Sequence, residues 1–596
     1  MDIFTVITML GGLAMFLYGM EIMGDGLKSS SSKALKSMLE KVTQSVVMGV
    51  ITGTLVTAVI QSSTATIVLT VGLLGAGILN LRQAISIVMG ANIGTTVTAQ
   101  LIRLMDIDSG GNIILDFFNP DTLAPIAMIA GIILLMFIKK KKNTGVGTML
   151  MGFGLLFTGL MLMSDSVAPL AESPAFAGAV QKFSNNPFLG ILTGLVTTFI
   201  IQSSSAMTGI LQALSSTGVL TFNMVYPVIM GINLGTCVTT AIVCSIGTNK
   251  DSKRTGFAHI VFNTIGTILF MIVMTLLHRF GVLDGIWNRI VDSGDIANFT
   301  TIFNLATAIV LIPFANQLVK LTTMVIKDKD DDPDEYPEVR SLDDKLFISP
   351  PVALDQVKVT TVKMGELARK NFRRSILQLS EYSPDRSSKI AAAEDRLDSF
   401  TDAAENYLIR LSRYIETDDD NNELNMLLQS VTDFERIGDY ACRIDDLAGR
   451  LVQEGITFSS SAREELTIMT NALLEIIDTT VDAFSTEDES IAKKIEPLEE
   501  VIDEMVASLK DKHLLRLKNG SCTISAGLVF IEVLTFMGRA ADQCSSIAVF
   551  LMGRRHAEIL SNHHAYLHEL HKGNDADYVA EFNEKRKQYL DPIFSI

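Results

Sequence analysis

The chain has 596 residues, 48% of them hydrophobic, with 49 Lys and Arg against 66 Asp and Glu and a formal net charge of −17. That length admits several domains, and the acidity excludes a nucleic-acid partner, because a phosphate backbone calls for a cationic surface. The charge is unevenly spread: residues 1–326 hold 17 basic and 14 acidic side chains, net +3, and residues 327–596 hold 32 and 52, net −20. The first part reads as a membrane domain and the second as a soluble, acidic one.

The opening Met1-Asp2-Ile3-Phe4 lacks the basic region of a signal peptide, so the apolar run from Ile3 to Met23 is expected to be a retained first span. Further candidate spans, each of about 17–25 apolar residues, fall near 84–104, 122–138, 145–163, 225–246, 255–279 and 298–325. Between them lie two uncharged stretches, 42–81 and 187–221, that double back on themselves. Either arm crosses fully or only dips to mid-depth. A polar turn in the bilayer is tolerated only when buried in protein or lining a cavity, which favours a re-entrant hairpin.

Each stretch carries the same polar pentad near its centre: Gln61-Ser62-Ser63-Thr64-Ala65 and Gln202-Ser203-Ser204-Ser205-Ala206. The context repeats too. Laid without a gap, 49–98 and 190–239 agree at 19 of 50 positions, including Gly53/Gly194, Gly90/Gly231, Asn92/Asn233, Gly94/Gly235, Thr95/Thr236 and Thr98/Thr239. Scattered glycines in such helices serve close packing. A glutamine followed by hydroxyls, recurring in register, exceeds that need, because unpaired polar groups are costly in hydrocarbon.

Placing the basic run 139–142 in the cytoplasm also places Lys28, Lys33, Lys36, Lys41, Arg82, Lys250, Lys253, Arg254 and the C-terminal region there. The acidic loops 106–121 and 284–295 then fall outside. The two hairpins enter from opposite faces, an inverted duplication suited to alternating access. Neither 42–81 nor 183–249 contains Asp, Glu, Lys or Arg, so a site there binds with neutral dipoles. Helix N-terminal N–H groups and hydroxyls suit an oxyanion. Carbonyl, carboxamide and hydroxyl oxygens suit Na⁺. Asn92-Ile93-Gly94-Thr95-Thr96 and Asn233-Leu234-Gly235-Thr236 are expected to be broken-helix elements facing the tips.

The pentads, each followed by Gly-x-Asn-x-Gly-Thr, resemble the type II sodium–phosphate cotransporter family over roughly residues 1–325. Ala258-His259-Ile260-Val261-Phe262-Asn263 and Thr300-Thr301-Ile302-Phe303-Asn304 share the likeness. The resemblance implies Na⁺-coupled phosphate transport. Carried over by position, it makes Gln61, Ser62, Ser63, Thr64, Gln202, Ser203, Ser204 and Ser205 substrate and sodium ligands, with Asn92, Thr95, Asn233 and Thr236 as further candidates. Thr300 stands where the sister motif has His259, so any histidine role is single-copy; a histidine in an apolar helix is more often a hydrogen-bonded core group than a proton relay.

A charged linker, 327–350, precedes amphipathic helical patterns near 352–381, 385–415, 422–454, 463–484, 486–517 and 523–553, two sets of three. Glu394-x-x-x-Asp398 recurs as Glu499-x-x-x-Asp503. An i, i+4 carboxylate pair puts two oxygens on one helix face, commonly just a solvated surface. With Asp433-Phe434-Glu435-Arg436-Ile437-Gly438-Asp439, the region resembles the PhoU family of phosphate-signalling regulators. That resemblance implies a divalent or iron-type metal at Glu394, Asp398, Glu435 and Asp439. The counterpart Gly538-Arg539-Ala540-Ala541-Asp542 lacks the glutamate, so the first bundle is the expected site. Five scattered cysteines (Cys237, Cys244, Cys442, Cys522, Cys544) imply no disulfide framework. His564, His568 and His571 share a helical face in the tail and are read as solvated surface.

The expected architecture is all-α. A polytopic membrane domain, 1–326, is built of inverted repeats (about 1–138 and 145–326), each with a re-entrant helical hairpin. The linker 327–350, a PhoU-like pair of three-helix bundles over 351–555 and a polar tail, 556–596, follow. The expected function is Na⁺:phosphate symport at a cell membrane, with the C-terminal domain cytoplasmic and regulatory, as a homo-oligomer or with a signalling partner. Phosphate export through the same site and a membrane-anchored phosphate sensor are the alternatives. No nucleotide loop, nucleophile–base pair or catalytic metal motif points to an enzyme.

Overall fold

The computed structural model describes residues 3–40, 45–106, 120–137, 141–169, 186–245, 250–327, 339, 342–415, 417–556, 559, 562–572 and 575–595. The basic run 139–142, most of the acidic loop 106–121 and most of the linker 327–350 lie outside the described residues or side chains. Among the described residues the chain is helical, with one isolated β-bridge between Thr221 and Ile290. It divides into two compact units, Met1–Pro333 and Asp334–Ile596.

In the first unit the helices are α1 (Ile3–Glu40), α2 (Val46–Ile60), α3 (Ser63–Gly75), α4 (Leu81–Gly94), α5 (Thr96–Ile102), α6 (Pro120–Phe137) and α7 (Lys141–Val167). They continue as α8 (Pro187–Ile201), α9 (Ser204–Ser215), α10 (Phe222–Ser245), α11 (Lys250–Arg279), α12 (Asp284–Trp287), α13 (Ser293–Leu311) and α14 (Ala315–Val325). Among the described residues, seven helical segments are long and apolar enough to cross a membrane. One of them, Ile524–Gly553, belongs to the second unit, where its apolar face is buried on other helices. In the first unit Ile126, Ile129, Ile133, Met136 and Phe137 of α6 and Ile268, Ile272 and Leu276 of α11 are exposed, an apolar exterior that lipid would cover.

Glycine sets how closely these helices cross. A Cβ on Gly53 of α2 would meet the Ile87 carbonyl oxygen, and one on Gly90 of α4 the Val50 carbonyl oxygen. The second copy repeats the crossing of α8 with α10: Gly194 faces the Val228 carbonyl and Gly231 the Ile191 carbonyl. A seven-residue glycine period joins α1 to α7 antiparallel. A Cβ on Gly12, Gly19 or Gly26 would come within 2.6–2.8 Å of the carbonyl oxygen of Gly159, Gly152 or Gly145 respectively. Backbones approach because no side chain separates them.

The second unit contains α15 (Pro350–Ser380), α16 (Pro384–Leu411) and α17 (Asp418–Gln453), which pack on one another. A second mutually packed set is α18 (Ser460–Thr486), α20 (Ile495–Lys518) and α21 (Ile524–Gly553), with the short α19 (Glu489–Ala492) between. The tail is also helical, as α22 (His563–His571), α23 (Ala576–Lys585), a π-turn at Arg586–Leu590 and α24 (Asp591–Ser595). It lies on the second set: Lys585 bonds Glu475 at 2.6 Å and His571 bonds Glu496 at 2.9 Å. His571 is therefore a hydrogen-bonded residue rather than free surface, while the side chain of His564 lies outside those described.

Candidate functional site

Each pentad forms the tip of a helix–turn–helix hairpin, and the two tips share one backbone. Gln61 ends α2 in the left-handed region at φ 57°, and Gln202 ends α8 at φ 59°. A left-handed C-cap usually falls to glycine or asparagine, so two glutamines there hold strained backbone in exchange for a side chain at the turn. The next residue, Ser62 or Ser203, is extended and caps the following helix. Its Oγ accepts from the N–H of Ala65 (3.2 Å) or Ala206 (3.1 Å). The serine of each pentad therefore organises an N-terminus whose remaining N–H groups point toward the tip.

The tips differ in what their glutamines touch. Gln61 is buried, and its Oε1 accepts from Thr98 Oγ1 at 2.7 Å. Gln202 is exposed, and Thr239, the counterpart of Thr98, donates instead to the Thr236 carbonyl at 2.8 Å. Ser63 and Ser205 are buried, while Ser62, Thr64, Ser203 and Ser204 are half-buried. Helix α1 runs past both hairpins: a Cβ on Gly24 would lie 3.5 Å from Gln61 Cβ, and the Phe16 ring fills the space at Gly209 of α9.

The two asparagine motifs also diverge. In the first copy the helix breaks at Thr95, whose hydroxyl donates to the Asn92 carbonyl three residues back, as Thr96 does to Ile93. In the second copy the expected break is absent: Asn233 and Thr236 lie within the continuous α10. There Asn233 Nδ2 and Thr236 Oγ1 bond back four residues, to the Ile229 and Ile232 carbonyls, which follows helical geometry rather than interrupting it. Asn92 Oδ1 lies 3.0 Å from His259 Nε2, so His259 is a hydrogen-bonded core residue. Asn92 Nδ2 and His259 Nδ1 are buried with no protein partner.

In the second unit, carboxylates gather on both helix sets. Burial first, then Asp398 and Asp439, raise Glu394; Asp398 is raised by burial and by Asp439. Burial, Asp439 and Asp398 push Glu435 up to about 7. Among the described residues, however, the group of three whose oxygens lie within 4.8 Å of one another is Glu499, Asp503 and Asp542. The sequence favoured the first set over the second, because Asp542 has no glutamate beside it; α21 nevertheless brings Asp542 opposite the Glu499-x-x-x-Asp503 pair. Burial, Glu496, Asp503 and Asp542 push Glu499 up to about 9. Carboxylates that raise one another in this way repel when ionised, and a cation among them would relieve that repulsion.

Thr98, Gly24 and Phe16 were not singled out as site residues from sequence. Thr98 was legible as one of the repeated positions; Gly24 and Phe16 carry no local signal, because their role lies in what they face.

Comparison with known proteins agrees with this architecture. The Na+/Pi-cotransporter family model matches residues 15–165 and 162–286, and the PhoU domain model matches 361–447 and 466–551. Uncharacterized protein YqeW of Bacillus subtilis (strain 168) is 27% identical over 53% of this chain and 96% of its own length. YjbB of Escherichia coli (strain K12), a protein named for proposed inorganic phosphate export, is 20% identical over 82% of this chain and 87% of its own. Sodium-dependent phosphate transport protein 2B of Homo sapiens is 30% identical over 30% of this chain and 27% of its own. The two family models together take in most of the chain: it is a membrane protein of the Na+/Pi-cotransporter family, a family of transporters, and carries a C-terminal PhoU domain.

Proposed function

We propose that the protein is a Na⁺-coupled phosphate transporter working by alternating access, with the two pentads as its shared site. The observation that supports this most is the unequal state of two equal tips. Gln61 is latched to Thr98, whereas Gln202 is exposed and Thr239 bonds elsewhere. A duplicated unit whose copies exchange closed and open states is the minimum that alternating access requires. The hairpins are re-entrant and inverted, entering from opposite faces, and the domains divide near 326, 350 and 555.

Phosphate would be held by the N–H groups of α3 and α9 and by the hydroxyls of Ser62, Ser63, Thr64, Ser203, Ser204 and Ser205. Na⁺ would be held by Gln61, Gln202, Asn92, Thr95, Asn233 and Thr236 oxygens. The bound cation and anion neutralise one another in low dielectric, which is why one carries the other. The PhoU domain lies in the cytoplasm and biases the cycle. Metal binding at Glu499, Asp503 and Asp542, with the first-set carboxylates as a second locus, would be its input.

Export is the second reading, favoured by the match to YjbB across both halves of the chain. The same site serves either direction. Labelled phosphate followed in liposomes under imposed Na⁺, K⁺ and pH gradients separates them. Flux that ignores the Na⁺ gradient, or that persists in Ser62→Ala and Ser203→Ala, overturns the coupled reading.

A further inference from the structure

The repeat breaks its own symmetry at one place that the pentads do not explain. Past the second tip, α9 carries Gln212, Ser215 and Ser216; in the aligned first copy the same positions are Val71, Leu74 and Gly75. Val71 is buried in an apolar cluster with Ile67, Val88 and Ala91. The second copy has replaced that greasy end with an amide and two hydroxyls.

Gln212 is 2% exposed, and its orientation is decided by its partners. Nε2 donates to the Ala99 carbonyl (3.1 Å), the Ser293 carbonyl (3.1 Å) and Ser293 Oγ (2.9 Å). Two of these are backbone carbonyls that only accept, so the amide cannot be turned over. Oε1 is thereby fixed as an acceptor, and it is buried with no donor. A buried acceptor left unpaired is costly, so something meets it.

Gln212 lines a cavity of about 320 Å³ together with Ser164, Ser215, Ser216, Asp292 and Ser293. Ser215 and Ser216 spend their protons on the Gln212 and Ala213 carbonyls, at 2.6 and 2.7 Å, and so turn lone pairs outward. The cavity stands at the C-terminal, electronegative end of α9. Asp292 adds a carboxylate, one oxygen of which caps α13 by accepting from the Asp295 N–H at 2.7 Å. The nearby Arg289 is paired with Asp295.

We propose that this cavity binds a monovalent alkali cation, Na⁺, through Gln212 Oε1, the Asp292 carboxylate and the hydroxyls of Ser164, Ser215 and Ser216. The site is distinct from the pentad tips and exists in one copy. It rests on the Na⁺-coupled reading for its purpose: a cation here ties α5 of the first repeat to α9 and α13 of the second, since Gln212 already bridges all three. On the charge placement it opens on the outer face, where Na⁺ is abundant.

Equilibrium binding of radiolabelled Na⁺ to the purified full-length protein, without phosphate, tests the site apart from transport. Asp292→Asn keeps the helix cap, because asparagine caps as well as aspartate, and removes the charge; Gln212→Met removes the carboxamide. Both are expected to weaken Na⁺ binding, Asp292→Asn by about tenfold, the effect of one charge at a partly solvated site. In liposomes the Na⁺ needed for half-maximal phosphate flux should rise similarly, with the phosphate requirement at saturating Na⁺ unchanged. Wild-type Na⁺ binding in Asp292→Asn overturns the proposal and leaves water as the partner of Gln212 Oε1. Loss of binding in the variants with flux indifferent to Na⁺ in the wild type keeps the site and overturns the coupled transport reading instead.

Discussion

Gln61 and Gln202 hold the same left-handed backbone, φ 57° and 59°, yet one side chain is buried on Thr98 and the other is exposed. Shared backbone with unshared contacts is what the proposed two-state cycle requires of its duplicated tips. The contact that differs is a single hydroxyl-to-carboxamide bond, so it is open to direct test.

Thr98→Val strands the Gln61 carboxamide oxygen in a buried place. Leaving a buried acceptor without its donor costs about 1–3 kcal/mol, and the thermal unfolding temperature should fall accordingly. Thr239→Val removes only a bond to its own helix, at the Thr236 carbonyl, and should cost less than about 0.5 kcal/mol, as for a substitution away from any critical contact. Equal losses in both variants contradict the asymmetric latch.

Backbone and side-chain roles of the glutamines separate by substitution. Gln202→Val places a β-branched residue in the left-handed region and should destabilise by about 1–2 kcal/mol. Gln202→Gly should leave stability within about 1 kcal/mol of the wild type, since glycine accepts that conformation. Phosphate flux should fall in both. A Gln202→Gly protein with full flux shows the side chain to be dispensable.

Gly53→Ala and Gly194→Ala push a methyl group into the Ile87 and Val228 carbonyl oxygens. Backbone cannot rotate away as a side chain can, so α2 and α4, or α8 and α10, must separate, at about 1–3 kcal/mol each. Gly77→Ala meets no atom within 4 Å but has φ 73°, so its cost is conformational only, about 1 kcal/mol. Thermal stability in detergent should rank the two crossing variants below Gly77→Ala.

The second-set carboxylates give the C-terminal unit a pH dependence with a definite sign. Glu499 is pushed from its ordinary 4.5 up to about 9 by burial and by Glu496, Asp503 and Asp542. Between those values the folded state holds a proton that the unfolded state has released, so the stabilisation is complete below 4.5 and is lost as pH rises toward about 9. Unfolding of this unit should occur at progressively lower temperature across that window, and Glu499→Gln should flatten the slope. A divalent cation replaces the proton, so its stabilising effect should grow with pH. A profile identical in Glu499→Gln and wild type removes Glu499 as the source.

Local patterns were enough for much of the fold. The apolar runs at Ile3, 225–246 and 255–279 became α1, α10 and α11, and the two Gln-Ser-Ser turns became hairpin tips, because a serine before a hydrophobic run caps a helix wherever it stands. Five of the six acidic-half helices fell within a few residues of expectation for the same reason, whereas the one expected over 486–517 divides into Glu489–Ala492 and Ile495–Lys518. The break expected at Asn233 did not occur: Gly94-Thr95 and Gly235-Thr236 are the same letters, and hydroxyl geometry decided between kink and continuous helix.

Charge, periodicity and duplication are properties of neighbours along the chain, and they carried the division into membrane and acidic halves, the paired pentads and the helix inventory. The Gln61–Thr98 latch spans 37 residues, the Gln212–Ala99 bond 113, and the Asn92–His259 pair 167. Such contacts depend on the rotation and crossing of packed helices, as does the meeting of Asp542 with Glu499 and Asp503. Helix rotation is set by the sum of many van der Waals contacts at glycine crossings. That sum exists only in the assembled core, and so the open tip, the fixed Gln212 amide and the carboxylate trio came from the folded molecule alone.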